Sequence, residues 1–175
     1  MDMDKKTTDR QVRLRALEME DLDFLYEIEN DMSLWGVGCN NAPYSRQLLI
    51  DYITRSTADI YIDKQVRFVI EDENRQMVGF VDLTDFDPRH MRAELGIVIK
   101  QEARGKGYAQ EAIRQIMAYS KEILHLHQLY AIVAADNEKA VKMLQSVGFE
   151  GDKMLREWLN VGEKYADAYL FQSFL

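Results

Sequence analysis

The sequence predicts an α/β fold in which helices cover the faces of one mixed sheet. Three observations support this fold class. Short apolar or alternating runs typical of strands recur along the chain, and amphipathic runs with helical spacing lie between them. Turn-forming residues separate the two kinds of run. With 175 residues, of which 47% are hydrophobic, the chain is long enough to bury one sizeable core.

The spacing of apolar residues predicts the strands and helices in the following order along the chain. Residues 12–17 alternate and predict a first strand, and Leu22, Leu25 and Ile28 recur at helical spacing. A loop rich in Gly, Asn and Pro separates this helix from a second one that begins near Ser45. The remaining elements are strands 66–71, 77–86 and 91–99, helix 107–124, strand 129–135, a helix ending at Gly148, and two closing strands. The total is about seven strands and about four helices.

Composition narrows the functional classes. Thirty acidic against 22 basic residues give a net charge of −8, which argues against nucleic-acid binding and favours cationic acceptors, although many acidic proteins are merely soluble. One cysteine, Cys39, forms no internal disulfide and fits a reducing cytoplasm. No apolar run approaches the ~20 residues of a membrane span. His90, His125 and His127 lack the spacing of metal ligands, so no metal is expected.

The stretch RGKGYA, Arg104–Ala109, lies where a strand gives way to a helix. A helix N-terminus leaves backbone N–H groups unpaired and adds about half a positive charge, which together favour an anion. Gly105 and Gly107 have no Cβ, so an anion can approach the backbone closely, and Arg104 and Lys106 add positive charge. The stretch therefore predicts a diphosphate site. The alternative is an ordinary glycine-rich turn.

A larger pattern identifies the family that the chain resembles. Arg104, Gly107 and Ala109 form R-x-x-G-x-A, which resembles the acyl-CoA diphosphate motif of the GNAT acetyltransferase superfamily. DNEKAVKMLQSVGF resembles its second signature, in which an Asn begins a helix that ends in Gly-Phe. From about Val12 to Leu175 the chain resembles the branch of spermidine and ribosomal-protein N-terminal acetyltransferases.

The resemblance implies a GNAT-like, largely antiparallel sheet and transfer of an acetyl group from acetyl-CoA to a primary amine by direct attack in a ternary complex. It implies a single acyl-CoA N-acyltransferase domain over residues 11–175, and we expect residues 1–10 to be a disordered tail. We expect acetyl-CoA as the cosubstrate and no metal.

The resemblance also implies how the cosubstrate is held. The pantetheine follows the fourth strand, and a backbone N–H near Ile97 polarises the thioester where two strands diverge. Asn137 is expected to bind the cosubstrate, although it also fits a plain helix N-cap. The implied cofactor-binding set is Ile97, Val98, Ile99, Arg104, Gly105, Lys106, Gly107, Tyr108, Ala109, Asn137, Lys142 and Leu144.

The acceptor amine requires a general base. An alkylamine has a pKa of about 10.4, so making it neutral at pH 7 costs roughly 4.6 kcal/mol. Glu94 is the first candidate, because an acid in an otherwise apolar strand needs a reason. The alternative for Glu94 is a salt bridge with Arg92 or Arg67. Asp82 is a weaker candidate base.

The expected acceptor site contains acids and aromatic residues. Glu29 and Asp82 would bind a cationic acceptor, although acids at helix ends usually face water. Trp35 and Tyr44 would line the pocket, although aromatic residues in such loops often simply pack.

Two positions depart from the spermidine enzymes. Leu144 stands where many relatives carry a tyrosine that protonates the leaving thiolate, so Tyr130 or water would have to replace it. Asn40 and Asn41 stand where the spermidine enzymes carry carboxylates, which weakens the case for a polycation site.

Three functions remain open from the sequence. The first is acetylation of a small cationic amine such as a polyamine. The second is acetylation of a protein N-terminus or lysine. The third is a CoA-binding sensor without turnover, which Leu144 favours. Exposed edge strands leave a homo-oligomer open as well.

Overall fold

A computed structural model of the chain describes residues 11–34 and 42–175. Within this range seven strands form one sheet with the spatial order β1-β2-β3-β4-β5-β7-β6. The strands are β1 Arg13–Ala16, β2 Val66–Glu71, β3 Met77–Asp87, β4 Arg92–Ile99, β5 Gln128–Ala134, β6 Glu150–Asn160 and β7 Tyr165–Phe174. The helices are α1 Leu22–Glu29, α2 Arg46–Arg55, α3 Ile60–Asp63, α4 Tyr108–Glu122 and α5 Glu138–Ser146.

The described elements confirm the mixed, largely antiparallel sheet. Five of its six neighbouring pairs are antiparallel, and β4–β5 is the parallel pair. Parallel strands need a long crossover, and α4 provides it between β4 and β5. The short helix α3 was not predicted, because four residues are too few to show a helical period.

Helices cover both faces of the sheet. Ile113 of α4 and Leu144 of α5 pack in one core cluster, which also contains Leu95 and Ile99 of β4. Leu25 of α1 packs on the opposite face in a second cluster that includes Leu49 of α2. Because side chains alternate along a strand, the even-numbered residues of β4 lie on the α1–α2 face.

Local capping fixes the helices that border the site. The Ser45 hydroxyl accepts a hydrogen bond from the Leu48 N–H at 3.2 Å, and the Asn137 carbonyl Oδ1 accepts one from the Ala140 N–H at 3.2 Å. Both are N-cap bonds of the expected kind. Among the described helices, none combines the length and apolar character that crossing a membrane requires.

Candidate active site

Strands β4 and β5 separate partway along their length. Their parallel pairing runs from Arg92–Gln128 to Glu94–Tyr130 and then stops. Beyond that point β4 continues to Ile99, paired with β3, and β5 continues to Ala134, paired with β7. The sheet therefore contains a wedge-shaped opening between two strands that remain held on their outer sides. This is the divergence that the resemblance predicted.

The register of β3 and β4 shows which backbone groups face this opening. Lys100 N–H donates to the Val78 carbonyl at 2.9 Å, which fixes the alternation of hydrogen-bonded pairs along the ladder. Val98 and Gly96 therefore bond to β3, whereas the backbone groups of Ile97 and Ile99 point toward β5. The opening thus has backbone donors and acceptors along its β4 side.

The glycine loop lies directly after β4. Gly105 and Gly107 have φ values of +73° and +87°, and a Cβ added at either position would meet no atom within 4 Å. Within the part of the chain that the structure describes, no hydrogen bond engages the N–H groups of Gly105, Lys106 or Gly107. Open space and free donors together form a cradle that an anion can enter, and this geometry fits a diphosphate.

The three cationic residues of the expected cofactor-binding set, Arg104, Lys106 and Lys142, differ in their contacts. Arg104 follows a short 3-10 turn, and its Nε donates to the Ile99 carbonyl at 2.8 Å, which sets the guanidinium at the mouth of the opening. Lys106 is exposed. Lys142 is exposed on α5 and pairs with Glu138 at 3.1 Å. Arg104 is thus the cation of this set that contacts the opening.

Three other members of that set have structural roles. The Tyr108 side chain is buried, and its hydroxyl donates to Glu73 Oε2 at 3.3 Å. Asn137 caps α5, as its alternative interpretation proposed. Leu144 is 3% exposed within the core. A role for these residues toward the cosubstrate stays a prediction.

Glu94 lies at the last paired position of the opening, on the α1–α2 face. The Ile132 N–H lies beside its carboxylate, at the first step where the ladder to β5 is missing. Burial raises the pKa of Glu94 above its ordinary value, and the carboxyl of Asp85 beside it adds to that increase. Neither of the salt bridges proposed as the alternative, with Arg92 or Arg67, is formed.

Tyr130 faces Glu94 across the end of the ladder. Burial raises the pKa of the Tyr130 phenol, and Glu94 and Asp85 contribute to the increase. Gln172 Nε2 donates to Gln128 Oε1 at 2.9 Å on the same face of the sheet. A cavity of about 190 Å³ on this face is lined by Arg92, Gln128, Tyr130, Leu170 and Gln172. This cavity therefore adjoins Tyr130, the residue that pairs with Glu94.

The acids Glu29 and Asp82 are brought together by Arg67. The Arg67 guanidinium donates to Asp82 at 2.8 and 2.9 Å and to Glu29 at 2.5 Å. It also lies over the rings of Tyr52 and Phe80. Burial lowers the pKa of Arg67, but the two carboxylates outweigh burial and raise it above its ordinary value. The two expected acceptor ligands therefore already bind an internal cation.

Of the two aromatic residues predicted to line the acceptor pocket, the structure describes Tyr44 but not Trp35. Tyr44 is half-buried and packs against the core cluster of α1 and α2, while its backbone N–H and carbonyl bond to the Asn30 side chain at 2.8 and 3.1 Å. Trp35, Asn40 and Asn41 lie outside the described residues, as does the Cys39 prediction. Across the described chain, no three His, Cys, Asp or Glu side chains are grouped to hold a metal ion.

Sequence reasoning missed Asp85 as a neighbour of Glu94. In a regular strand Asp85 would point away from the face of Thr84, which lies opposite Glu94. An irregularity in β3 between Thr84 and Asp87 changes this direction. A sequence signal exists in retrospect, because a second acid in the run DLTDFD is unexpected for a buried strand.

Comparison with known proteins identifies the family. The acetyltransferase (GNAT) domain model matches residues 11–150. The spermidine N(1)-acetyltransferase of Vibrio cholerae is 34% identical over 169 residues, which cover 93% of this chain and 94% of that protein. The crystal structure of a V. cholerae spermidine N-acetyltransferase with CoA and spermine has a TM-score of 0.82 at 32% identity, over 94% of this chain and 95% of that one. A dodecameric structure of the V. cholerae enzyme has a TM-score of 0.78 at 34% identity, over 94% of both chains.

A sheet that opens between β4 and β5, with a glycine loop directly after β4, is compatible with an acyl-CoA-dependent acyltransferase. The chain belongs to the GNAT acetyltransferase family. It is an N-acetyltransferase that uses acetyl-CoA as its cosubstrate.

Proposed function

We propose that the chain transfers the acetyl group of acetyl-CoA to a primary amine of a polyamine such as spermidine. The observation that carries the proposal is the wedge between β4 and β5, which joins the glycine loop to the half-buried carboxylate of Glu94. The similarity to the V. cholerae spermidine enzyme supports the acceptor class.

On the cosubstrate side, the N–H groups of Gly105, Lys106 and Gly107 bind the diphosphate, and Arg104 adds positive charge beside them. The backbone of Ile97 and Ile99 orients the pantetheine arm within the wedge. An N–H of this strand, that of Ile97, donates to the thioester carbonyl and stabilises negative charge on its oxygen.

On the acceptor side, the amine enters as an ammonium ion and loses a proton to Glu94, directly or through water. Arg67 neutralises one of the two charges of Glu29 and Asp82, so this three-residue cluster keeps a net charge of −1 that favours a cationic chain. Leu144 donates no proton to the thiolate. Tyr130 or water serves instead, because a thiol of pKa about 8.5 leaves without full protonation.

We propose a homo-oligomer that works in the cytoplasm. The dodecameric structure of the V. cholerae relative supports assembly, and the single cysteine is consistent with a reducing compartment.

An acceptor panel tests the substrate class. Release of CoA thiol from acetyl-CoA is measured with spermidine, spermine, hexylamine and peptides that carry a free N-terminus or lysine. We expect spermidine or spermine to give the highest kcat/KM, well above hexylamine, which lacks the distal charges. Turnover with the peptides alone would favour a protein acetyltransferase. Tight CoA binding without turnover on any amine would favour a sensor.

Replacing Gly107 by Ala tests the cradle. Alanine at φ +87° is strained and places a methyl group where the anion approaches, so we expect CoA affinity to fall at least tenfold by calorimetry. Gly162→Ala is the matched control, because Gly162 has φ +96° and equally open surroundings in the β6–β7 turn. Both variants should lose about 1–2 kcal/mol of unfolding free energy. Equal CoA affinity in both would refute the cradle.

A further inference from the structure

Asp85 occupies an unusual position in β3. Its φ of +48° is left-handed, a conformation that few residues other than glycine adopt and that Asp and Asn tolerate best. The residue lies where the β3–β4 register shifts between Thr84 and Asp87. Irregularities of this kind redirect side chains and occur often beside active sites.

The redirected side chain reaches Glu94. Thr84 lies opposite Glu94, so in a regular strand Asp85 would point to the other face of the sheet. Instead, the irregularity brings the Asp85 carboxyl beside that of Glu94. Because neighbouring negative charges repel, the Asp85 charge favours the protonated form of Glu94.

We propose that Asp85 is a positioning residue for acetyl transfer, which holds the Glu94 carboxyl at the mouth of the wedge and strengthens it as the base for the acceptor amine. This inference rests on the proposed function. It assigns a role to a residue that lies beside Glu94 and apart from the glycine loop in the sequence.

Asp85 beside Glu94 favours removal of the proton from the acceptor ammonium, as the balance of protons in the reaction shows. The ammonium group gives one proton to Glu94, and the neutral amine forms the C–N bond as the C–S bond of the thioester breaks. The second amine proton goes to the departing thiolate, and Glu94 returns its own proton to solvent. A carboxyl that binds a proton more strongly takes it from an ammonium at a smaller free-energy cost, and Asp85 provides this effect together with burial.

The charged surroundings leave this pair without a neutralising cation. Within the described ranges, no ion pair joins Glu94 or Asp85 to a basic side chain. Arg92, the nearest arginine on β4, pairs with Asp87 at 3.3 Å. The titratable and charged groups on this face near Glu94 are Asp85, Tyr130, Arg92, Asp87 and the Arg67–Asp82 pair. Of these, Asp85 is the charged neighbour that raises the pKa of Glu94.

Asp85→Asn tests the proposal, because Asn keeps the shape and tolerates the left-handed backbone while it removes the charge. With spermidine as acceptor, we expect the acidic limb of the kcat/KM profile to move down by about one pH unit. The plateau kcat should fall about tenfold, with KM changed less than twofold. Asp51→Asn, half-buried on α2 and outside the proposed site, is the control and should leave the profile unchanged.

A second measurement is independent of turnover. Carboxyl ¹³C NMR follows the Glu94 titration, with the signal assigned by its loss in Glu94→Gln. The midpoint should fall in Asp85→Asn and remain unchanged in Asp51→Asn. An unchanged midpoint, or an unchanged acidic limb in an active variant, would overturn the role of Asp85. If the native chain acetylates no amine, the proposed function fails, while the NMR midpoint still decides whether Asp85 and Glu94 are coupled.

Discussion

Glu94→Gln is expected to lower kcat with spermidine by about 10²–10⁴-fold, the usual contribution of a general base. Glutamine keeps the length of the side chain and one of its two oxygens, so the local structure should persist. KM for acetyl-CoA should stay within about twofold, because Glu94 lies on the face opposite α4 and apart from the glycine loop.

The same variant should not be less stable. The folded-state pKa of Glu94 is raised, so this carboxyl stabilises the protein at low pH and loses that contribution as pH rises through the folded pKa. Near pH 7, Gln therefore removes a penalty, and the melting temperature should stay level or increase. Glu163→Gln, exposed in the β6–β7 turn, is the control for both readouts. Full activity of Glu94→Gln would exclude Glu94 as the base.

Arg67→Met is expected to reduce the free energy of unfolding by about 3 kcal/mol. Methionine preserves the apolar stem over Tyr52 and Phe80 but leaves Glu29 and Asp82 without their cation. At roughly 2–4 °C per kcal/mol for a chain of this size, the melting temperature should fall by roughly 6–12 °C. Thermal unfolding followed by circular dichroism measures this shift.

A control variant and a rescue variant test whether the effect of Arg67→Met comes from the loss of its buried ion pairs. Arg46→Met also removes an ion pair, with Asp23 at 2.5 Å, and a contact over the Tyr26 ring, but this pair is exposed. Its loss should be less than about 1 kcal/mol. Adding Glu29→Gln and Asp82→Asn to Arg67→Met should recover more than half of the loss, because the uncompensated charges are gone. Equal effects of Arg67→Met and Arg46→Met would contradict the buried-cluster account.

Short-range patterns in the sequence were sufficient to predict the strands, the helix caps and the backbone conformation of the glycine loop. Strand β2 has the predicted bounds, and the N-caps at Ser45 and Asn137 follow from short-range hydrogen bonding. The Gly105 and Gly107 backbone adopts the left-handed conformation that makes glycine useful there. Each of these features depends on a few consecutive residues.

Contacts between residues that are far apart in the sequence could not be predicted from such short-range patterns. The identity of the cation beside Glu29 and Asp82 depends on how β2, β3 and α1 pack, and the sequence left Arg67 as an alternative partner for Glu94. The Asp85–Glu94 contact depends on one irregularity in β3, which shifts a side chain to the other face. No local periodicity records either arrangement.

The most direct test of the account is a crystal structure of the chain with CoA bound. It should place diphosphate oxygens within hydrogen-bonding distance of the N–H groups of Gly105 and Gly107, and the pantetheine arm between Ile97 and β5. A bound CoA whose diphosphate lies away from this loop, or whose arm lies outside the wedge, would contradict it.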